Sequence, residues 1–299
     1  MKRKYIFLST SGLLALFAIS FFASNQNISD KDERSVDKAD SLIRVEKPND
    51  KTILVQLGYD AVTAVNLLNG IIVFDAGISN ELTTKYRKII ENEFQPKKIA
   101  YLINTHYHPD HYGGNNIFSD IKIIAHENYL QEISVQRKDQ NKVKSNLLQI
   151  VDGYNKELQT LKPNSKEWME AFLQKTRYEF AYNDALKNYP LINPSITFAD
   201  SLKIDMGDAG LDLTYFGNAH SNSDILIHIP ELKLLMVGDL FSKYGRPGFD
   251  CDNLQNIDRL LKSIEWLKTR LSKIEYVISG HGQILKKEDL ESFIKNVEK

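Results

Sequence analysis

Four side chains able to bind a metal ion, His106, His108, Asp110 and His111, fall within six consecutive residues of this chain. The apolar run at 99–103 reads as a buried strand, which places the cluster at a strand's C-terminal end. Side chains alternate along an extended backbone, so His106 and His108 turn their rings to one side and can share an ion. Asp110 and His111, beyond the turn at Pro109, can face a second one. Zinc takes imidazole nitrogen and carboxylate oxygen at about 2.0–2.2 Å, which suits this donor set. The only cysteine, Cys251, excludes an intramolecular disulfide and a cysteine-rich cluster. His, Asp and Glu must therefore supply the ligands, and packing must supply the stability.

Three further candidates recur in the same context. His220 follows the alternating run 211–216, Asp239 follows 234–237, and His281 follows 276–279 between Gly280 and Gly282. A lone His or Asp after a strand is ordinarily a turn or capping residue. Repetition of that context, added to the six-residue cluster, argues for one joint site built at successive strand ends. Gly113 and Gly114 supply backbone for a close approach just after the cluster. Asp75, closing the run 71–74, reads as an acceptor that orients a ligating imidazole, against a plain turn aspartate. His126, placed at a helix start, reads as a local hydrogen-bonding residue or a support behind the ligands. His228, inside a strand, reads as a packed or surface residue.

Strands are expected at 53–57, 61–68 and 71–74 as a meander, then at 99–103, 121–125, 211–216, 224–229, 234–237 and 276–278. Helical periodicity marks 81–93, 253–270 and 287–297. Residues 127–190 lack a good strand and read as an inserted helical pair. Its second half starts near a cap at Ser165 and places Met169, Leu173, Thr176 and Phe180 at helical spacing. The insert's aromatics (Trp168, Phe172, Tyr178, Phe180, Tyr182 and Tyr189) either pack it onto the body or form a lid over the site.

Residues 1–24 carry Lys2, Arg3 and Lys4 ahead of an apolar run at 5–23 and read as a secretory signal. An uncleaved anchor is the alternative, since about 20 apolar residues span a bilayer. A periplasmic or extracellular protein follows from the first reading and a membrane-anchored one from the second. Either way, no cysteine stands there to be acylated. Residues 25–51, rich in Asp, Lys, Glu and Ser, read as a solvated linker, with the folded domain at 52–299. With 38 Lys and Arg against 39 Asp and Glu, the formal charge of −1 provides no field for nucleic acid. The expected partner is a small-molecule substrate, and the oligomeric state stays open.

Taken together, the segments 75–77, 105–114, 219–224, 238–241 and 280–282 resemble the metallo-β-lactamase superfamily, in that superfamily's order. The resemblance implies an α/β fold, an αββα four-layer sandwich with the metals at one edge between the sheets. It implies that His106, His108 and His220 hold the first metal, that Asp110, His111 and His281 hold the second, and that Asp239 bridges. Zinc β-lactamases that use a cysteine at the second metal do not fit, because Asp239 stands at the corresponding place. Glyoxalase II-like thioesterases and many exported hydrolases have the bridging aspartate.

The expected function is an exported hydrolase with two zinc ions, iron or manganese being compatible with the same ligands. It would turn a metal-bound hydroxide on a carbonyl substrate, a β-lactam among the options, with Asp110 orienting the nucleophile or shuttling its proton. A glyoxalase II-like thioesterase or iron-dependent sulfur dioxygenase is the alternative, and a metal-binding protein without turnover a third. Lys243, Tyr244 and Arg246, in the loop after Asp239, are candidates for binding a substrate carboxylate, against plain solvated charges.

Overall fold

Apolar residues on both faces of the first strands force them between two layers, and that is where the chain puts them. The computed structural model describes residues 39–136, 139–217, 220–240 and 255–297, all within one unit spanning Arg34–Lys299. The signal-like segment, and the loop carrying Lys243, Tyr244 and Arg246, lie outside the described residues.

A single helical turn, α1 (Ala39–Leu42), leads into β1 (Arg44–Asn49), β2 (Thr52–Leu57), β3 (Asp60–Leu67) and β4 (Gly70–Phe74), paired antiparallel in order. Helix α2 (Asn80–Glu93) returns the chain to β5 (Ile99–Ile103), parallel to β4. The short α3 (Pro109–Tyr112) follows, then β6 (Lys122–His126). Three insert helices come next, α4 (Tyr129–Gln136), α5 (Gln140–Thr160) and α6 (Lys166–Lys187), before β7 (Ile196–Phe198) completes a seven-stranded sheet in sequence order. The second sheet is built from β8 (Ser201–Asp205), β9 (Gly210–Tyr215), β10 (Ile225–Ile229), β11 (Leu234–Gly238), β12 (Tyr276–Ser279) and β13 (Ile284–Lys286). Helix α7 (Gln255–Lys268) connects β11 to the parallel β12, and α8 (Lys287–Val297) ends the described chain.

Side-chain alternation sorts these strands into layers. Leu54, Ile72, Phe74 and Ile103 from the first sheet meet Leu213, Ile227, Met236 and Ile278 from the second in a core between the sheets. The opposite faces of β2 and β4, through Ile53, Val55 and Val73, pack beneath Leu82, Tyr86 and Ile90 of α2 and Leu173 and Phe180 of α6. Leu235, Val237 and Val277 pack likewise beneath Leu260, Ile264 and Leu267 of α7 and Leu290 and Ile294 of α8. The arrangement is the αββα sandwich expected.

Several expectations need correction. Residues 39–49, read as linker, form α1 and β1. Strand β1 is largely exposed and polar, which suits an edge strand that pairs on one side, with β2, from Arg44 opposite Gln56 to Asn49 opposite Thr52. His126 ends a strand and does not start a helix. Helix α5 and helix α6 form the expected pair, and α4 precedes it. Ser165 caps α6, its Oγ accepting from Trp168 N at 3.1 Å. No helix of the described residues is long and apolar enough to cross a membrane.

Candidate metal centre

Strand β5 hands the chain to the cluster through a set of buried hydrogen bonds. Asn104 Nδ2 donates to His111 O at 2.9 Å, closing the loop on itself, and Pro109 starts α3, whose first turn carries Asp110 and His111. Gly113 and Gly114 follow, and a Cβ on Gly114 would collide with Thr83 Oγ1 and Ala76 O. The close approach that demands glycine is therefore to the turn after β4.

Asp75 lies in that turn at φ 60°, in the left-handed region that aspartate tolerates. Its Oδ1 accepts from Thr105 N at 2.7 Å, and its Oδ2 accepts from Thr105 Oγ1 and His111 Nδ1, each at 2.9 Å. Since the Thr105 hydroxyl proton goes to Asp75, Thr105 Oγ1 accepts from His106 Nδ1 at 3.1 Å. His281 Nδ1 donates to Tyr59 O at 2.8 Å. Three imidazoles thus carry their protons outward and turn Nε2 inward. The backbone N–H groups of His220 and Ser221 donate to Asp224 Oδ2 at 2.6 Å, which fixes the loop after β9.

The seven predicted residues fall into two adjoining groups. In the first, His108 Nδ1 lies 3.0 Å from both His106 Nε2 and His220 Nε2. Asp239 Oδ2 lies 3.7 Å from His106 Nε2 and 3.6 Å from His220 Nε2. In the second, Asp110 Oδ1 is 3.9 Å from His111 Nε2, and Asp110 Oδ2 is 3.9 Å from His281 Nε2. Asp239 Oδ2 is also 3.4 Å from His111 Nε2 and 3.0 Å from His281 Nε2, so one carboxylate oxygen faces both groups. His106 and His111 are buried, while His108, Asp110, His220, Asp239 and His281 are half-buried and form the opening.

This donor set fits divalent ions. A tetrahedron with Zn–N near 2.05 Å has edges of about 3.3 Å, and the first group's separations bracket that length. His111 Nε2 and Asp239 Oδ1 are buried without hydrogen-bond partners among the described residues. A Cβ on Gly280 would come within 2.5 Å of Asp239 Oδ1 and 2.6 Å of His111 Cε1, so only glycine leaves this space open.

Electrostatics divides the groups. Burial, reinforced by His111, holds His106 well below the ordinary histidine range. Burial and His220 lower His108 to about 4. Both are neutral donors at pH 7. Burial opposes charge on His111, but Asp239, Asp75 and Asp110 outweigh it and hold His111 well above its usual range. Burial likewise opposes charge on His281, and Asp239 raises it. Asp110 and Asp239 are held low against burial, His111 being the strongest opposing influence on each. A cation entering the second group would therefore displace protons.

Two residues had no signal in the sequence reading. Arg177 of α6 is buried and donates from Nη2 to Asp110 Oδ2. Its Nε lies 3.9 Å from Oδ1 of the buried Asp60. Burial pushes the Asp60 carboxyl up to about 6, with Arg177 working against it. Asp110 and Arg177 also stand in the wall of a cavity of about 620 Å³ between α5, α6 and α3, which none of the seven but Asp110 lines. His126 bonds locally, Nε2 donating to Ala199 O at 2.6 Å and Nδ1 accepting from Asn128 N at 3.2 Å. His228 is packed, Nε2 donating to Lys273 O at 3.3 Å.

The fold recurs in solved structures. A metallo-beta-lactamase from Pontibacter korlensis superposes with a TM-score of 0.56 at 16% identity, covering 86% of this chain and 99% of that one. The DIM-1 metallo-beta-lactamase gives 0.56 at 17%, covering 86% and 97%. The sec-alkylsulfatase Pisa1 from Pseudomonas sp. gives 0.59 at 14%, covering 88% of this chain and 42% of that longer one. No curated protein matches the sequence. The family model of the metallo-beta-lactamase superfamily matches residues 62–281, most of the chain, and with the sandwich and the paired His and Asp groups at its edge it places the chain in that superfamily.

Proposed function

We propose that this chain is an exported dinuclear-metal hydrolase of carbonyl substrates. His106, His108 and His220 would hold one ion, Asp110, His111 and His281 the other, with Asp239 shared. The observation that carries this is Asp239 Oδ2, within 3.7 Å of an inward nitrogen of His106, His111, His220 and His281. A mononuclear centre has no use for the second set of three donors, which weighs against an iron dioxygenase. Export rests on the basic start and apolar run of residues 1–24.

Two bound divalent ions, zinc in our reading, supply an acidified water and a Lewis acid for a carbonyl oxygen. Asp110, as a ligand of the second ion, is the carboxylate beside that water and would orient it for attack. His111 is kept in register by Asp75, and His281 by the Tyr59 carbonyl. Lys243, Tyr244 and Arg246 are proposed to bind a substrate carboxylate. The β-lactam option draws support from the lactamases among the structural neighbours.

Zinc-loaded protein should hydrolyse a chromogenic cephalosporin or a thioester, lose turnover to a chelator and regain it with zinc. Asp110→Asn should cost about 10²- to 10⁴-fold in kcat. Turnover unaffected by chelation, or an Asp110→Asn protein with full activity, would overturn the proposal.

A further inference from the structure

The helical insert reaches the candidate centre through one side chain. Arg177 sits on the face of α6 that packs against the body, 4% exposed, where an unpaired charge would be costly. Its guanidinium meets two carboxylates from remote parts of the chain, Asp110 through Nη2 and Asp60 at 3.9 Å from Nε. Nη1 donates to Gln174 Oε1 at 3.3 Å. Neither Asp60 oxygen has a hydrogen-bond partner among the described residues, so Asp60 acts as countercharge to the guanidinium.

An ion pair used only to tie the insert down would need one carboxylate. Here the guanidinium stands between two, and the three charges sum to −1, which leaves net negative charge at Asp110 to face a divalent cation. The Arg177 bond engages Oδ2 and stops the carboxylate from rotating, while Oδ1 remains 3.9 Å from His111 Nε2. We propose that Arg177 is the positioning residue of Asp110, presenting Oδ1 as the single donor to the ion of the Asp110, His111 and His281 group, with Asp60 holding Arg177 in place. The helical insert is then a wall of the metal centre.

This inference rests on the two-ion reading, and its test separates the two. Stepwise zinc affinities are measured by chelator competition for the wild-type protein, Arg177→Lys, Arg177→Met, and Arg177→Met combined with Asp60→Asn. The combined variant removes both buried charges together and leaves none uncompensated in the core. One of the two ions should bind about 10- to 100-fold more weakly in Arg177→Met and in the combined variant, the other as in wild type, with Arg177→Lys between. The weakened ion should be the one also lost in His281→Ala. If the combined variant binds both ions as wild type does and only its unfolding temperature changes, or if it weakens both ions equally, Arg177 is a plain structural tie and the inference fails. A wild-type protein that takes up fewer than two ions would sink the two-ion reading and this inference with it.

Discussion

Asp75 gives both carboxylate oxygens to the loop that carries the imidazoles and so decides which ring nitrogens of His106 and His111 face inward. Precision of this kind rests on acceptors that have no freedom to change partner. His228 shows the contrasting case, a histidine whose environment serves stability alone. It is buried on the outer face of β10 and edge-on to Trp266. Burial lowers its pKa from the ordinary histidine value of 6.5. The unfolded chain therefore takes up this proton at a higher pH than the folded one, so the contribution is present above about pH 6.5 and is lost as pH falls. His228→Gln, which can still donate to Lys273 O, should show a smaller drop in urea midpoint between about pH 7 and pH 5 than wild type; equal slopes would contradict this. At this scale the seven ligand candidates were legible because four fall within six residues and three repeat one context. Asp60 and Arg177 were not, since a lone acid at a hairpin and a lone base on a helix carry no pattern until folding brings them together.

Strands and helices show where periodicity suffices. The interior strands β2 to β6 and β9 to β12 were all visible as apolar or alternating runs. The four that escaped notice, β1, β7, β8 and β13, are the four sheet edges. An edge strand pairs on one side, is short or polar, and so lacks the hydrophobic run that marks a buried one. The insert is the reverse case. Spacing of Met169, Leu173, Thr176 and Phe180 revealed α6, and the buried members of that set face the body. Phe180 is fully buried among the residues beneath α2 and α6. Phe180→Ala should cost about 3–5 kcal/mol in urea unfolding, and a cost within about 0.5 kcal/mol, as for a surface site, would show that α6 does not depend on this contact.

Across the whole described unit, the candidate centre belongs to neither sheet alone. The first sheet contributes His106, His108, Asp110 and His111 after β5. The second contributes His220, Asp239 and His281 after β9, β11 and β12. Their donor atoms meet only when the sheets stack on the shared core of Leu54, Phe74, Leu213 and Ile227. Ion binding is for that reason coupled to the fold. The motif order made the sandwich legible, but the sequence could not reveal that the insert adds a side chain to the same edge. Metal content of the purified, zinc-reconstituted chain, measured by elemental analysis against protein concentration, tests the central claim most directly. The account predicts two ions per chain in the wild-type protein, and a content of one or none would contradict it.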